Sequence, residues 1–237
     1  MRRCPGHASV QPTGAMAGEG ASDSTEAGWQ HEGNIFFRRS MFHIRETGAE
    51  DIGQEEELRR LFYARLQCRG GGQTLLVSTA HFTWQGHVAE SQTDVNLRKA
   101  QARLTVEALG RLQRPAEPCF FGGDLNEGYW PRVILQGGGF VDPFTRLHFP
   151  CRPTHPARPC VAHEEQNADA TLDWLFCRQG SDAPVDAKPL LATVVRDMIK
   201  LSSDNPDERQ AMAVQPSDHC PVMAVYRLQP VLQDHQR

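Results

Sequence analysis

Four short polar clusters in this chain sit at the end of, or inside, a brief apolar run: Thr79-Ala80-His81, Gly123-Asp124-Leu125-Asn126, Thr171-Leu172-Asp173-Trp174 and Ser217-Asp218-His219. Together they supply carboxylates, two imidazoles and a carboxamide. That set can hold a hard divalent cation, orient a water molecule and neutralise a phosphate oxyanion. Strand ends along one sheet edge can bring such groups into a single cleft. No Ser or Cys with a paired base offers itself as a nucleophile.

Taken singly, each cluster has a plainer explanation. Asp-Leu-Asn after Gly-Gly makes a good turn, because Asp and Asn side chains bond their own backbone. A His closing a strand is more often a hydrogen-bonded structural residue than a catalyst. Ser-Asp-His before Pro221 could cap a strand. Asp173 fits the plain reading least well, since a carboxylate inside an apolar strand is costly unless paired.

The elements that must position these groups can be read from hydrophobic pattern. Asn34–Arg38 is a short β-prone run, and Met41–Ile44 continues it or turns back on it. Gln54–Arg60 is charged and helix-permissive. Leu61–Cys68 and Thr74–Thr79 flank Gly70-Gly71-Gly72 and read as an antiparallel hairpin whose second strand ends at His81. Val95–Leu112 has near-helical apolar spacing, with Asp94 placed to cap it. Cys119–Phe121 is a brief strand opening into the Gly122-Gly123-Asp124 loop. Ala170–Cys177, Leu190–Val195 and Cys220–Leu228 follow as β-prone segments, separated by polar, Pro-interrupted loops at 145–168 and 196–216. Many strands with few helices between them argue for packed sheets with helices outside, not a doubly wound parallel sheet.

Bulk properties bound the rest. The 237 residues suffice for one sizeable core, and 39% hydrophobic with 23% charged residues is a globular balance. A net charge of −4 gives no long-range pull on a polyanion, so nucleic acid would need a local patch or a metal. The seven cysteines include no CxxC pair and suggest neither a zinc site nor a disulfide framework; Cys151 and Cys160 could bridge, with free thiols the favoured alternative. Residues 1–30 are small and polar and read as a disordered tail, leaving a domain at 31–230. No secretory signal and no apolar run of about 20 residues is present, so a cytoplasmic or nuclear protein without a membrane span is expected.

The ordered set of clusters resembles the endonuclease/exonuclease/phosphatase superfamily, which is DNase I-like. Val77-Ser-Thr-Ala-His81-Phe looks like its strand ending in His, and Gly123-Asp-Leu-Asn126 like its Gly-Asp-hydrophobic-Asn motif. Leu172-Asp-Trp-Leu-Phe176 and Ser217-Asp-His-Cys-Pro-Val222 look like its two later motifs, and Gly33–Arg38 like its Gly-x-Ala-Ile-Phe strand. Within it, His81-x-x-Trp84, Asp94-Val-x-Leu97 and Gln101 are similar to the deadenylase branch of CCR4, nocturnin and angel proteins. The Trp-x-Asp-Arg motif of the inositol polyphosphate 5-phosphatases is replaced here by Leu-Asp-Trp-Leu-Phe.

The resemblance implies a four-layer α/β/β/α sandwich of two mixed or antiparallel sheets, and hydrolysis of a phosphate ester with Mg²⁺ or Mn²⁺. It implies that Asp124 orients or deprotonates water, Asn126 holds that water or the phosphate, and His81 and His219 donate to phosphate oxygens. Asp173 would pair with His219. Asp218, Asp124 and Asn126 would lie at the metal, and Thr79 stands where relatives often have Asn. Trp84, Tyr129 and Trp130 could stack a base, or simply pack at a cleft rim. The expected substrate is nucleic acid, RNA ahead of DNA, or a nucleotide.

One departure stands out. The family's upstream Asn strand and Gln-Glu pair have no match, because Glu26 and Glu32 are neither preceded by Gln nor on an apolar strand. The domain is therefore expected to be N-terminally incomplete. Three readings follow: a fragment of an active phosphodiesterase; an inactive relative binding RNA or protein through the same cleft; or an active enzyme with a substitute acid such as Glu127. A phosphoinositide or phospholipid phosphatase of the same superfamily is a further alternative.

Overall fold

The computed structural model describes residues 7–10, 33–53, 59–157, 168–196 and 217–230. Cys4, Cys160, Glu26, Glu32, residues 54–58 and nearly all of the 196–216 loop lie outside them. At the centre is a five-stranded sheet of β3 (Phe42–Asp51), β4 (Arg60–Cys68), β5 (Thr74–His81), β6 (Cys119–Asp124) and β7 (Asp173–Arg178), hydrogen-bonded in that order. The β4–β5 hairpin forms as expected, with Leu61 opposite Ala80 and Gln67 opposite Thr74. Every step is antiparallel except β5–β6. A parallel step needs a long crossover, and here the connection carries α1 (Val88–Thr93) and α2 (Leu97–Leu112).

Alternation along these strands gives the sheet two apolar faces. On one, Leu61, Leu76, Cys119, Phe121, Trp174 and Phe176 pack with Ala102, Ala108 and Leu109 of α2 and Leu135 of α3 (Trp130–Gly137). Each such large side chain, fully buried, contributes about 1.5–3 kcal/mol. Arg65 is the charged exception on this side. It is buried against Glu117, with Nε–Oε1 at 3.0 Å, and also meets Glu46 and the Leu112 carbonyl at the end of α2.

The opposite face is covered by two separate ladders. In one, β1 (His7–Val10) pairs with β2 (Ile35–Arg38); in the other, β8 (Val185–Val194) pairs with β9 (Val222–Pro230). Ile35 and Phe37 pack on Ala64 and Leu66, while Phe120 meets Tyr226 edge-on at 5.0 Å. The architecture is thus two β-layers with helices outside, as expected. β2, β9 and the sheet floor of β5, β6 and β7 together line a groove of about 610 Å³.

Several local expectations change. The N-terminal tail was expected to carry no regular structure, yet His7–Val10 forms a strand, since the open edge of β2 can template a short partner. Asp94 is not the cap of the long helix. It ends α1 in a left-handed conformation, and Asn96 caps α2 by accepting from the Lys99 amide at 3.0 Å. The segment expected as loop after residue 145 begins later than a short helix α4 (Pro143–Arg146), capped by Asp142. Helix α3, also unexpected, starts directly after Tyr129, with Pro131 in its first turn. Cys151 and four other described cysteines are free.

Gly123 of β6 packs directly against the backbone of β5. A Cβ there would lie 1.9 Å from the Ala80 carbonyl oxygen, which is backbone and cannot rotate away. Gly123→Ala is expected to cost at least about 1–3 kcal/mol, read as a lower denaturation midpoint; unchanged stability would contradict this packing.

Candidate active site

Sheet register assembles the site. His81 of β5 lies opposite Asp124 of β6, and Asp124 opposite Asp173 of β7, so the three form one row across the sheet. Residues in one row point to one face. The row faces the layer of β9, and the turn before β9 brings His219 over it. His219 Nδ1 lies 2.7 Å from Asp173 Oδ2, and its Nε2 lies 3.9 Å from Asp124 Oδ2. His81 Nε2 is 3.4 Å from the same Asp124 oxygen.

Asn126 completes the group through a tight turn. It adopts a left-handed backbone, which Asn tolerates better than most residues. Its amide N–H donates to Asp124 Oδ1 at 2.8 Å, and its side-chain nitrogen donates to the Phe82 carbonyl at 2.9 Å and lies 3.0 Å from His81 Nε2. Expected as a turn and expected as a site, Asp124-Leu125-Asn126 is both.

The electrostatics follow from crowding. Burial, and then the neighbouring Asp173 carboxylate, hold the Asp124 carboxyl above its ordinary range; the Asn126 amide and the two imidazoles oppose this. His219 is pushed up to about 9, chiefly by its hydrogen bond to Asp173. It is therefore an imidazolium at neutral pH, with Nε2 directed at the row. A buried carboxyl inclined to take a proton beside a cation able to donate one is an acid–base pair in waiting.

Asp218 stands slightly apart. Its side chain is 51% exposed, and Oδ2 is 3.8 Å from Nε2 of His155, a residue that motif reading did not single out. Donor atoms fall into two groups able to hold a cation, Asp124 with Asp173 and His219, and His155 with Asp218 and His219. Asp218 and Asp124 thus belong to different groups that share His219. Two imidazoles and three carboxylates suit a divalent ion in donor chemistry.

Glu127, the candidate substitute acid, lies in neither donor group. Its Oε2 accepts from Arg98 Nε at 3.0 Å and from Asn96 at 2.9 Å, and its Oε1 accepts from the Trp130 amide. Arg98 is buried and also binds Glu90 and the Thr83 carbonyl. This network ties the loop after Asn126 to the start of α2.

Thr79 lies two residues before His81 on the same face, about 7 Å along the strand, and lines the groove between the layers. Trp84, Tyr129 and Trp130 are 50%, 63% and 44% exposed, and none walls the cavity of about 320 Å³ that contains Asp124, Asp173 and His219. Trp84 stands edge-on to His87, Tyr129 edge-on to Trp130, and Lys99 Nζ sits 4.0 Å over the Trp130 ring.

Sequence reading missed Thr154 as well as His155. The buried Thr154 hydroxyl accepts from the Leu172 and Asp173 amides at 3.0 and 3.1 Å, and the Thr154 carbonyl accepts from Cys220 N at 2.7 Å. One residue thus links the strand bearing Asp173 to the turn bearing His219. A Thr in a Pro-rich loop gives no signal of this, because its partners are distant in sequence.

No protein-family model matches the chain, and no curated protein matches it. Solved structures do. TDP2 from D. rerio, complexed with a single-strand DNA product, is 18% identical, with a TM-score of 0.63, covering 82% of this chain and 72% of that one. A mannosyl-6-phosphatase from Bacteroides thetaiotaomicron is 20% identical, with a TM-score of 0.61 and 82% and 70% covered. An endonuclease/exonuclease/phosphatase from Bacteroides vulgatus is 15% identical, with a TM-score of 0.61 and 95% and 77% covered. At these identities the likeness is one of fold, and it is the fold that the motifs imply. No described helix is long and apolar enough to cross a membrane.

Two outcomes test the geometry. Asp173→Asn removes the main support of the His219 proton, so the imidazole titration followed by NMR should fall from about 9 toward the ordinary value near 6.5. A titration that stays high would show that the pair is not formed. Thr154→Val leaves two amide N–H groups without their acceptor and should cost about 1–3 kcal/mol in denaturant unfolding.

Proposed function

We propose that this chain is a divalent-metal-dependent phosphoric ester hydrolase of the endonuclease/exonuclease/phosphatase superfamily. The observation that carries this reading is the row His81–Asp124–Asp173 closed by His219. Its members come from three strands and a distant turn, and no core-packing need explains so many charged groups in one place.

In this mechanism Asp124 accepts a proton from the attacking water, which its raised proton affinity favours. Asn126 holds the Asp124 carboxylate in place through its backbone amide. As the water oxygen bonds to phosphorus, the P–O bond to the leaving group breaks; His219, as an imidazolium, donates Nε2–H to a phosphate oxygen as charge builds there, and the leaving oxygen takes a proton from solvent. Asp173 keeps the proton on His219 Nδ1 and fixes the ring plane. His81 supplies a second donor from the other side of Asp124. Asp124 and the Asn126 carboxamide oxygen would hold the cation, Mg²⁺ or Mn²⁺, with the half-exposed Asp218 side chain turning in from its neighbouring donor group, and its chemistry would be charge neutralisation at the phosphate.

The substrate favoured is a nucleic-acid end or a nucleotide, with RNA ahead of DNA. Trp84, Tyr129 and Trp130 offer sequence-tolerant stacking surfaces beside the loops that carry the site, and Lys99 over Trp130 adds a cation for the backbone. A single-strand DNA product in the TDP2 structure is compatible with such a substrate. The phosphatase among the structural neighbours keeps phosphomonoesters as the second reading.

The test is Mg²⁺-dependent hydrolysis of a short poly(A) RNA and of bis-p-nitrophenyl phosphate by the wild type and by His219→Ala. Metal-dependent turnover that falls by at least about 100-fold in the variant is expected. A folded wild type that turns over neither substrate would favour a non-catalytic binding protein.

A further inference from the structure

We propose that His155, Asp218 and His219 form a transition-metal site of Zn²⁺ type, whose occupancy takes His219 away from the reacting phosphate. The three donor atoms already lie within 4.8 Å of one another. His155 Nε2 and Asp218 Oδ2 are 3.8 Å apart, and the two imidazole rings are 4.7 Å apart and tilted by 48°, not stacked. A tetrahedral ion with bonds near 2.1 Å spaces its donors at about 3.4 Å. Small rotations close that gap, and the half-exposed Asp218 side chain is free to make them.

The backbone holds the donors together. Ala157 N donates to the Asp218 carbonyl, and Cys220 N to the Thr154 carbonyl, so the segment with His155 is laced to the turn with Asp218 and His219. His155 is itself fixed by two backbone hydrogen bonds with Ala170. His219 Nδ1 is committed to Asp173, which leaves Nε2 as its only ligand atom, and the ion binds there by displacing the Nε2 proton to solvent. A carboxylate that orients a histidine in this way is the usual support of a metal-bound imidazole.

The donor set selects the ion. Two imidazoles and one carboxylate favour Zn²⁺, and Co²⁺ as its spectroscopic substitute, over Mg²⁺, which prefers oxygen ligands and its own water. His155 has no part in the hydrolytic scheme above, so the site is not a restatement of it. The metal site stands on its own geometry; only its effect on turnover rests on the hydrolase reading.

Titration of the metal-free protein with Co²⁺, followed by visible absorption, tests the site directly. The expected result is one Co²⁺ per chain, displaced by Zn²⁺, in the wild type and in His43→Ala, which alters an exposed histidine elsewhere. His155→Gln should bind at least about tenfold more weakly at an unchanged melting temperature. His155→Asn serves the same purpose should His155→Gln fail to fold. No cobalt spectrum, or one unchanged in both variants, overturns the site. Equimolar Zn²⁺ should then suppress hydrolysis by the wild type and spare His155→Gln. Wild-type turnover that zinc does not reduce overturns the proposed effect. Absence of any turnover would defeat the hydrolase reading, while the cobalt titration would still decide the site.

Discussion

Everything in the candidate site depends on the register of β6 between its two neighbours. Its parallel pairing with β5 sets His81 beside Asp124, and its antiparallel pairing with β7 sets Asp173 on the other side. A slip of one residue on either ladder would send a member of the row to the opposite face. That register is held by packing of Cys119, Phe121 and Phe176 under the helices and by the close approach of Gly123 to Ala80.

The row is costly to maintain. Asp124 and Asp173 are adjacent carboxylates, partly buried, and burial together with the Asp173 charge raises the cost of ionising Asp124. His219 offsets this by standing between them as a cation, bonded to one and within 4 Å of the other. A fold that needed only stability could fill this position with apolar residues. The turn that carries His219 is itself stapled by Thr154 to the start of β7, so the cation and its partner are held through one residue.

A second polar network supports the loop after Asn126. The buried Arg98 gathers Glu90, Glu127 and the Thr83 carbonyl, and Gln101 bonds Thr83 and the Gly53 carbonyl. Glu127, a candidate metal-site acid in sequence, is bonded into this network. The difference arises because a carboxylate beside a site and a carboxylate behind it look alike in sequence; only the position of Arg98, 29 residues away, separates them.

Sequence alone determined the strand-and-turn framework and the identity of the candidate site groups. Alternation marked β4, β5 and β7, the glycines marked the hairpin and the Gly-Asp-Leu-Asn turn, and Asp173 stood out as a charge that its strand could not hold unpaired. Those signals are local, arising from side-chain period and backbone preference within a few residues. Tertiary structure decided which groups meet. It joined Asp173 to His219, set His155 against Asp218, turned Asp94 from a helix start into a helix end, and made Thr154 a link between strand and turn. Such contacts join residues tens of positions apart through sheet register and loop packing, and these are properties of the folded chain as a whole.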